Sequence, residues 1–105
     1  MSSVFRSGGI VVDTLKHLVE KDGKAVHLTP KEFELMTLLV KNSDRVLTHR
    51  QILTAVWGPA HTHDVQYLRV FIGQLRQKIE GNPADPELVL TESGIGYRFN
   101  GEVAS

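Results

Sequence analysis

The chain contains no cysteine, which excludes a disulfide framework, a zinc ribbon and thiol catalysis. It also lacks net charge: twelve Lys and Arg balance twelve Asp and Glu, so overall charge argues for no particular partner. No apolar run approaches the ~18–20 residues needed to cross a bilayer. The opening residues, Met1 to Gly9, hold one basic residue and no apolar stretch, so they do not read as a secretory signal. What remains is ordinary for a globular chain. Its 105 residues suit one small domain, and a 41% hydrophobic content supplies enough apolar surface to offset ordering entropy. There is no internal repeat, low-complexity tract or second core. Residues 9–100 read as the domain, with flexible tails at 1–8 and 101–105.

Periodicity and turn residues divide the domain into three parts. Ile10–Asp13, Lys16–Lys21 and Lys24–Leu28 are short runs rich in β-formers, and Asp22-Gly23 between the last two is a strong hairpin signal. A small antiparallel sheet is expected there. Thr29-Pro30-Lys31-Glu32 then starts a helix, with threonine as cap, proline at the first position and Glu32 closing a capping box. Phe33, Leu35, Met36, Leu38, Leu39 and Val40 make its wide apolar stripe, and Asn42-Ser43-Asp44 ends it. Thr48-His49-Arg50-Gln51 repeats the same start before Ile52, Leu53, Val56 and Trp57, and Gly58-Pro59 stops that helix. A third helix runs from about Asp64 to Glu80, with Val65, Leu68, Phe71, Ile72, Leu75 and Ile79 on one side. Leu88–Thr91, Glu92–Ile95 and Gly96–Phe99 read as a β-hairpin with a glycine-rich tip. Sheet, three helices and hairpin together predict an α+β fold, a winged helix-turn-helix with the third helix as reader and the hairpin as wing.

The outward side of the third helix carries Gln66, Val70, Gly73, Gln74 and Gln77, flanked by Arg69, Tyr67 and Lys78, with no carboxylate before Glu80. Arg76 falls near the buried edge, where it suits an internal contact. Such a face fits a major groove: amides pair bidentately with adenine, arginine with guanine, and no acid meets the phosphates. A helix made polar merely for solubility has the same composition. Charge segregates in the same region. Arg45 to Lys78 holds five bases and one acid, a net +4 that leaves −4 elsewhere, as a polyanion footprint or an uneven solvated surface would.

Taken together, these residues resemble the C-terminal DNA-binding effector domain of OmpR/PhoB-type response regulators. The matching pieces are Leu28-Thr29-Pro30 with Glu32-Phe33, Arg45–Thr48, Gln51-Ile52-Leu53 and Val56-Trp57-Gly58. They continue with Ile72–Lys78 and the stretch from Thr91 through Gly94–Phe99, spanning about Gly9 to Phe99. Tyr67–Arg76 and Thr91–Gly94 are most similar to the KdpE type, which serves a potassium-uptake operon. The resemblance implies a four-stranded N-terminal sheet and a third helix in the major groove. It places Gln66, Tyr67, Arg69, Val70, Gly73, Gln74, Gln77 and Lys78 at or near bases and phosphates. Thr48, Arg50 and Trp57 would lie near the phosphate backbone, and Thr91, Ser93 and Tyr97 belong to the wing beside the minor groove. Pro59, Ala60, His61, Thr62 and His63 resemble a loop through which several members contact RNA polymerase. The implied partners are double-stranded DNA bearing a direct repeat, polymerase, and a sensor kinase acting only through a receiver domain that this chain is too short to hold. A cytoplasmic bacterial protein, weakly associating or monomeric as an isolated domain and without membrane contact, is expected.

Three departures qualify the resemblance. Many relatives place an arginine where Ser93 stands, and Glu92 beside it would be repelled by phosphate, against deep wing insertion. Many also carry an acid where Arg69 stands and a larger polar residue in place of Gly73, so a different target sequence is expected. Other functions find little support. His61-Thr62-His63-Asp64, with His49, offers at most two metal ligands, and Gly94–Tyr97 lacks the helix and lysine of a phosphate cradle. No enzyme, cofactor or metal site is expected. A winged module that binds protein rather than DNA is the alternative, and the absence of net charge is its one support.

Overall fold

A computed structural model describes residues 3–101. The N-terminal sheet has four antiparallel strands in sequence order: β1 (Val4–Ser7), β2 (Ile10–Asp13), β3 (Leu18–Lys21) and β4 (Lys24–Val26). Ile10 and Val12 point inward from β2 while Val11 alternates outward, and Val12 lies opposite Val19 of β3. Lys21 pairs with Lys24 across a two-residue turn in which Asp22 and Gly23 both have positive φ, +50° and +83°. That is the primed geometry matching the strands' twist.

The first expected tail needs correction. Val4–Ser7 lies along β2 as an ordered edge strand, with Phe5 opposite Val12 and packed against the core. Four residues without a turn signal ahead of them carry too little periodicity to be recognised alone. At the other end, the backbone N–H of Gly101 donates to Asp44 at 3.0 Å. Residues 1, 2 and 102–105 of the two expected tails lie outside the described residues.

Both capping boxes form. α1 (Pro30–Lys41) begins with the Thr29 hydroxyl accepting from the Glu32 N–H, while a Glu32 carboxylate oxygen accepts from the Thr29 N–H at 2.9 Å. α2 (His49–Trp57) repeats the exchange between Thr48 and Gln51 at 3.0 and 2.8 Å. Between these helices, β5 (Val46–Thr48) crosses to the C-terminal hairpin, β6 (Val89–Glu92) and β7 (Gly96–Phe99), in the order β5-β7-β6. The wing is therefore the outer part of a three-stranded sheet. α3 (Val65–Ile79) buries Leu68, Ile72, Leu75 and Ile79 in the core that also holds Leu35, Met36 and Leu39 of α1, Ile52 and Leu53 of α2, and Phe99 of the wing sheet.

Candidate nucleic-acid interface

The expected outer face of α3 is present. Gln66, Tyr67, Arg69, Val70, Gly73, Gln74 and Gln77 are all exposed, and α3 has no acidic residue from end to end. An Arg69 N–H donates to Gln66 Oε1 at 3.2 Å, holding two polar side chains of the first turns beside each other. Trp57 closes α2 half-buried, with its ring centroid 4.9 Å from Phe71 and 5.5 Å from Tyr67. Tyr67 and Phe71 are 5.1 Å apart, so the three rings form one cluster that fixes the angle between α2 and α3. Tyr67 sits at its rim, 47% exposed.

Two expected contact residues are committed elsewhere. Lys78 Nζ donates to Glu32 Oε1 at 2.5 Å, joining the end of α3 to the start of α1. Glu32 is only 2% exposed. Burial works to raise its carboxyl pKa, but hydrogen bonds from Lys78 and Thr29 and the ammonium charge outweigh burial and hold it below the usual value. Tyr97 is 3% exposed, with its ring 5.7 Å from that of His49 and 5.8 Å from the Arg76 guanidinium carbon, so it belongs to the core rather than to a contact surface. Register explains this: Tyr97 lies opposite both Leu47 and Thr91 on the inner face of the central wing strand.

The charge footprint is correspondingly narrower than the sequence suggests. Of the five bases between Arg45 and Lys78, Arg45, Arg50 and Arg69 are exposed and form no ion pair among the described residues, while Lys78 pairs with Glu32. Arg76 makes the internal contact expected of it. Its Nε and Nη2 donate to the Val89 carbonyl at 3.1 and 2.6 Å, and Nη2 also donates to the Thr91 hydroxyl at 3.0 Å. Burial lowers the Arg76 pKa, with the Tyr97 and Glu80 charges pulling back upward. The guanidinium thus ties α3 to the base of the wing.

At the wing tip, Ser93-Gly94-Ile95 joins paired Glu92 and Gly96, with Gly94 at φ +73°. Glu92 is not a bare acid at the tip, because its Oε2 accepts from Arg98 Nε at 3.0 Å. Thr91 and Ser93 are exposed, and so is Ile95, at 52%, which sequence reasoning did not single out. The Ile95 carbonyl accepts from the His49 N–H at 3.0 Å, placing the wing turn against the start of α2, where Thr48 and Arg50 stand. Between α2 and α3, Pro59–His61 forms one turn of 3-10 helix, and Pro59, Ala60, His61 and His63 are exposed with Thr62 half-buried. His61 Nδ1 lies 2.9 Å from Asp64 Oδ2, and among the described residues no group of three potential ligands gathers there.

Glu32 also makes stability depend on pH. A carboxylate whose folded pKa is depressed contributes fully above its unfolded value, near ~4.3, and loses that contribution as pH falls through the folded pKa. Glu32→Gln is therefore expected to be less stable than the parent at pH 7, with the gap narrowing below pH ~4. Urea melts at both pH values check this, and a gap that stays constant with pH would remove the ion pair as its cause.

Comparison with known proteins places this geometry in context. Residues 23–99 match the family described as transcriptional regulatory protein, C terminal. The KDP operon transcriptional regulatory protein KdpE of Escherichia coli is 47% identical over 90 residues, covering 86% of this chain and 40% of that protein. The sensory transduction protein RegX3 of Mycobacterium bovis is 40% identical over 98 residues, covering 93% of this chain and 43% of that protein. The crystal structure of the response regulator DrrB, a Thermotoga maritima OmpR/PhoB homolog, superposes with a TM-score of 0.80 at 31% identity, covering 94% of this chain and 45% of DrrB. The chain spans about two-fifths of the length of the curated relatives it matches.

Proposed function

Because this chain belongs to the transcriptional regulatory protein C-terminal family, the DNA-binding effector domains of OmpR/PhoB-type response regulators, we propose that it reads a potassium-uptake operator of the kdp type. The observation that carries DNA reading is the outer face of α3: amides, Arg69 and Val70, with no carboxylate to meet phosphate. The higher identity to KdpE than to RegX3 supports the kdp-type target. In this reading α3 lies in the major groove, while Arg50 and the capped start of α2 face the phosphate backbone. The wing touches the adjacent groove through Thr91, Ser93 and the tip. Two domains occupy half-sites of a direct repeat about one helical turn apart. The sensor kinase acts through a receiver domain, the exposed Pro59–His63 turn is offered to RNA polymerase, and the setting is the bacterial cytoplasm. The domain performs no catalysis of its own.

A fluorescence-anisotropy titration against a duplex enriched by in vitro selection, with a scrambled control and two salt concentrations, tests the reading. Tighter binding to the selected duplex and a steep loss of affinity with salt are expected, since phosphate contacts release counterions. Arg69→Ala should weaken the selected complex by about 1–3 kcal/mol while leaving the scrambled one little changed. Equal losses on both duplexes would make Arg69 a phosphate contact. No saturable binding at low salt by the folded domain would overturn the proposal and favour a protein partner.

A further inference from the structure

Asn100 follows the central strand of the wing sheet, and of the chain's three asparagines it alone precedes a glycine. Asn42 precedes Ser43, and Asn82 precedes Pro83, whose nitrogen carries no proton to lose. An asparagine before glycine is chemically labile in water, because no Cβ on the next residue hinders the approach of its backbone nitrogen to the side-chain carbonyl carbon. In this fold both reacting groups are engaged. The Asn100 N–H donates to the Leu88 carbonyl at 2.7 Å and its Nδ2 to the Glu87 carbonyl at 3.2 Å, both on the β6 side. The Gly101 N–H instead donates to Asp44 Oδ1 at 3.0 Å, on the β5 side. Because β7 lies between β5 and β6, the leaving amide and the attacking nitrogen are drawn toward opposite neighbours. Asp44 is anchored in turn, its own N–H donating to the Phe99 carbonyl at 2.8 Å with φ at +68°. A Cβ on Gly101 would crowd Ser7 Oγ and Asp44 Oδ2, which accounts for glycine at this place.

We propose that Asn100 is a site of spontaneous deamidation, with water as the co-reactant, and that Asp44 guards it in the folded domain. The Gly101 nitrogen bonds to Asn100 Cγ, the Cγ–Nδ2 bond breaks, and Nδ2 leaves as ammonia with the proton from the Gly101 N–H. Water then opens the cyclic imide at either carbonyl, giving aspartate or isoaspartate. A carboxylate is too weak a base to deprotonate a backbone amide, so Asp44 restrains the nitrogen rather than activating it. Conversion removes the donor that holds the Glu87 carbonyl and sets a carboxylate facing it, which loosens the chain just ahead of β6. The inference is independent of the DNA-binding reading.

Peptide mass spectrometry during incubation in mildly alkaline buffer, with and without denaturing urea, tests both parts. The mass gain of an amide-to-acid exchange is expected at Asn100 ahead of Asn42 and Asn82, and faster in urea than in the folded parent. Asp44→Gly removes the carboxylate and suits the positive φ, while Asp44→Asn tolerates that φ and keeps an acceptor oxygen. With folding checked by circular dichroism, Asp44→Gly should deamidate about fivefold faster than the parent, the net worth of one hydrogen bond. Asp44→Asn should stay close to the parent rate. Asn100→Asp, the product made directly, should melt below the parent. A folded Asp44→Gly domain that deamidates at the parent rate or more slowly would overturn the guarding role. If that variant does not fold, the parent alone decides, because equal rates with and without urea overturn it as well. No mass gain at Asn100 in urea would remove the site itself, and an Asn100→Asp domain as stable as the parent would remove the loosening of β6.

Discussion

Gly96→Ala is expected to cost the domain about 3 kcal/mol or more, lowering its melting temperature by on the order of 15 °C. The reason is a close approach of two backbones. A Cβ on Gly96 would stand 1.8 Å from the Leu47 carbonyl oxygen, 2.8 Å from its carbon and 2.9 Å from the Thr48 Cα. No rotamer change relieves a clash with main chain, so β5 must separate from β7 or the whole strand must shift. Gly96 lies opposite Thr48, the residue that caps α2, and beside Ile95, whose carbonyl holds the His49 N–H. Displacing β5 therefore disturbs the wing and the start of α2 together, the two elements proposed to flank the reading helix on DNA. Gly94→Ala is the control. Its φ of +73° makes a side chain strained there, but beyond its chain neighbours no atom of the described residues stands within 4 Å of its Cβ position, so a loss of about 1–2 kcal/mol is expected. Thermal melts followed by circular dichroism separate the two. A Gly96→Ala domain melting within a few degrees of the Gly94→Ala one would show that the β5–β7 contact yields easily.

The same pairing illustrates what could be read along the chain and what could not. Both capping boxes, the Asp22-Gly23 turn and the stripe of α3 were legible because each depends on residues within one or two turns of each other. From α3's periodicity alone, its outward residues and the inward lean of Arg76 followed, and all are found where the spacing puts them. Two of the four edge strands, β1 and β5, were not legible from periodicity. β1 and β5 are four and three residues long, and β5 is recruited by β7 from the far end of the domain. Tyr97 was assigned to the contact set by family resemblance, yet register turns its ring inward. Lys78 shows the limit for charges. Helix geometry puts it on a flank open to DNA, but its partner Glu32 is 46 positions away, and only the packing of α3 on α1 brings them together. A face read from one helix identifies which side chains can reach outward; it does not identify which of them another element has already engaged.

Glu80 gives the second large effect, and sequence reading treated it only as the end of α3. Its carboxylate is buried and accepts from three successive backbone N–H groups, those of Glu87, Leu88 and Val89, at 2.8–3.1 Å. β6 is an edge strand of the wing sheet, and its first residue turns both of its backbone polar groups to α3: the Val89 N–H to Glu80 and the Val89 carbonyl to Arg76. Two charged side chains one turn apart thus cover an edge that would otherwise present unpaired groups. Glu80→Ala removes the acceptor for three donors, of which the Leu88 and Val89 N–H groups are buried, and each orphaned N–H costs about 1–3 kcal/mol. These costs do not simply add, because the loop ahead of β6 can relax toward water. A loss of about 3–5 kcal/mol in urea denaturation is therefore expected. Glu80→Gln separates charge from shape. It keeps one carbonyl oxygen but turns an amide NH₂ toward N–H donors, so it should lose at least half as much as the alanine variant. A Gln variant as stable as the parent would show that a neutral acceptor suffices. If instead both variants are destabilised and Glu80→Gln, still folded at low temperature, binds scrambled DNA normally but the selected duplex weakly, the carboxylate holds the wing at the angle from which α3 and the wing can engage one site together.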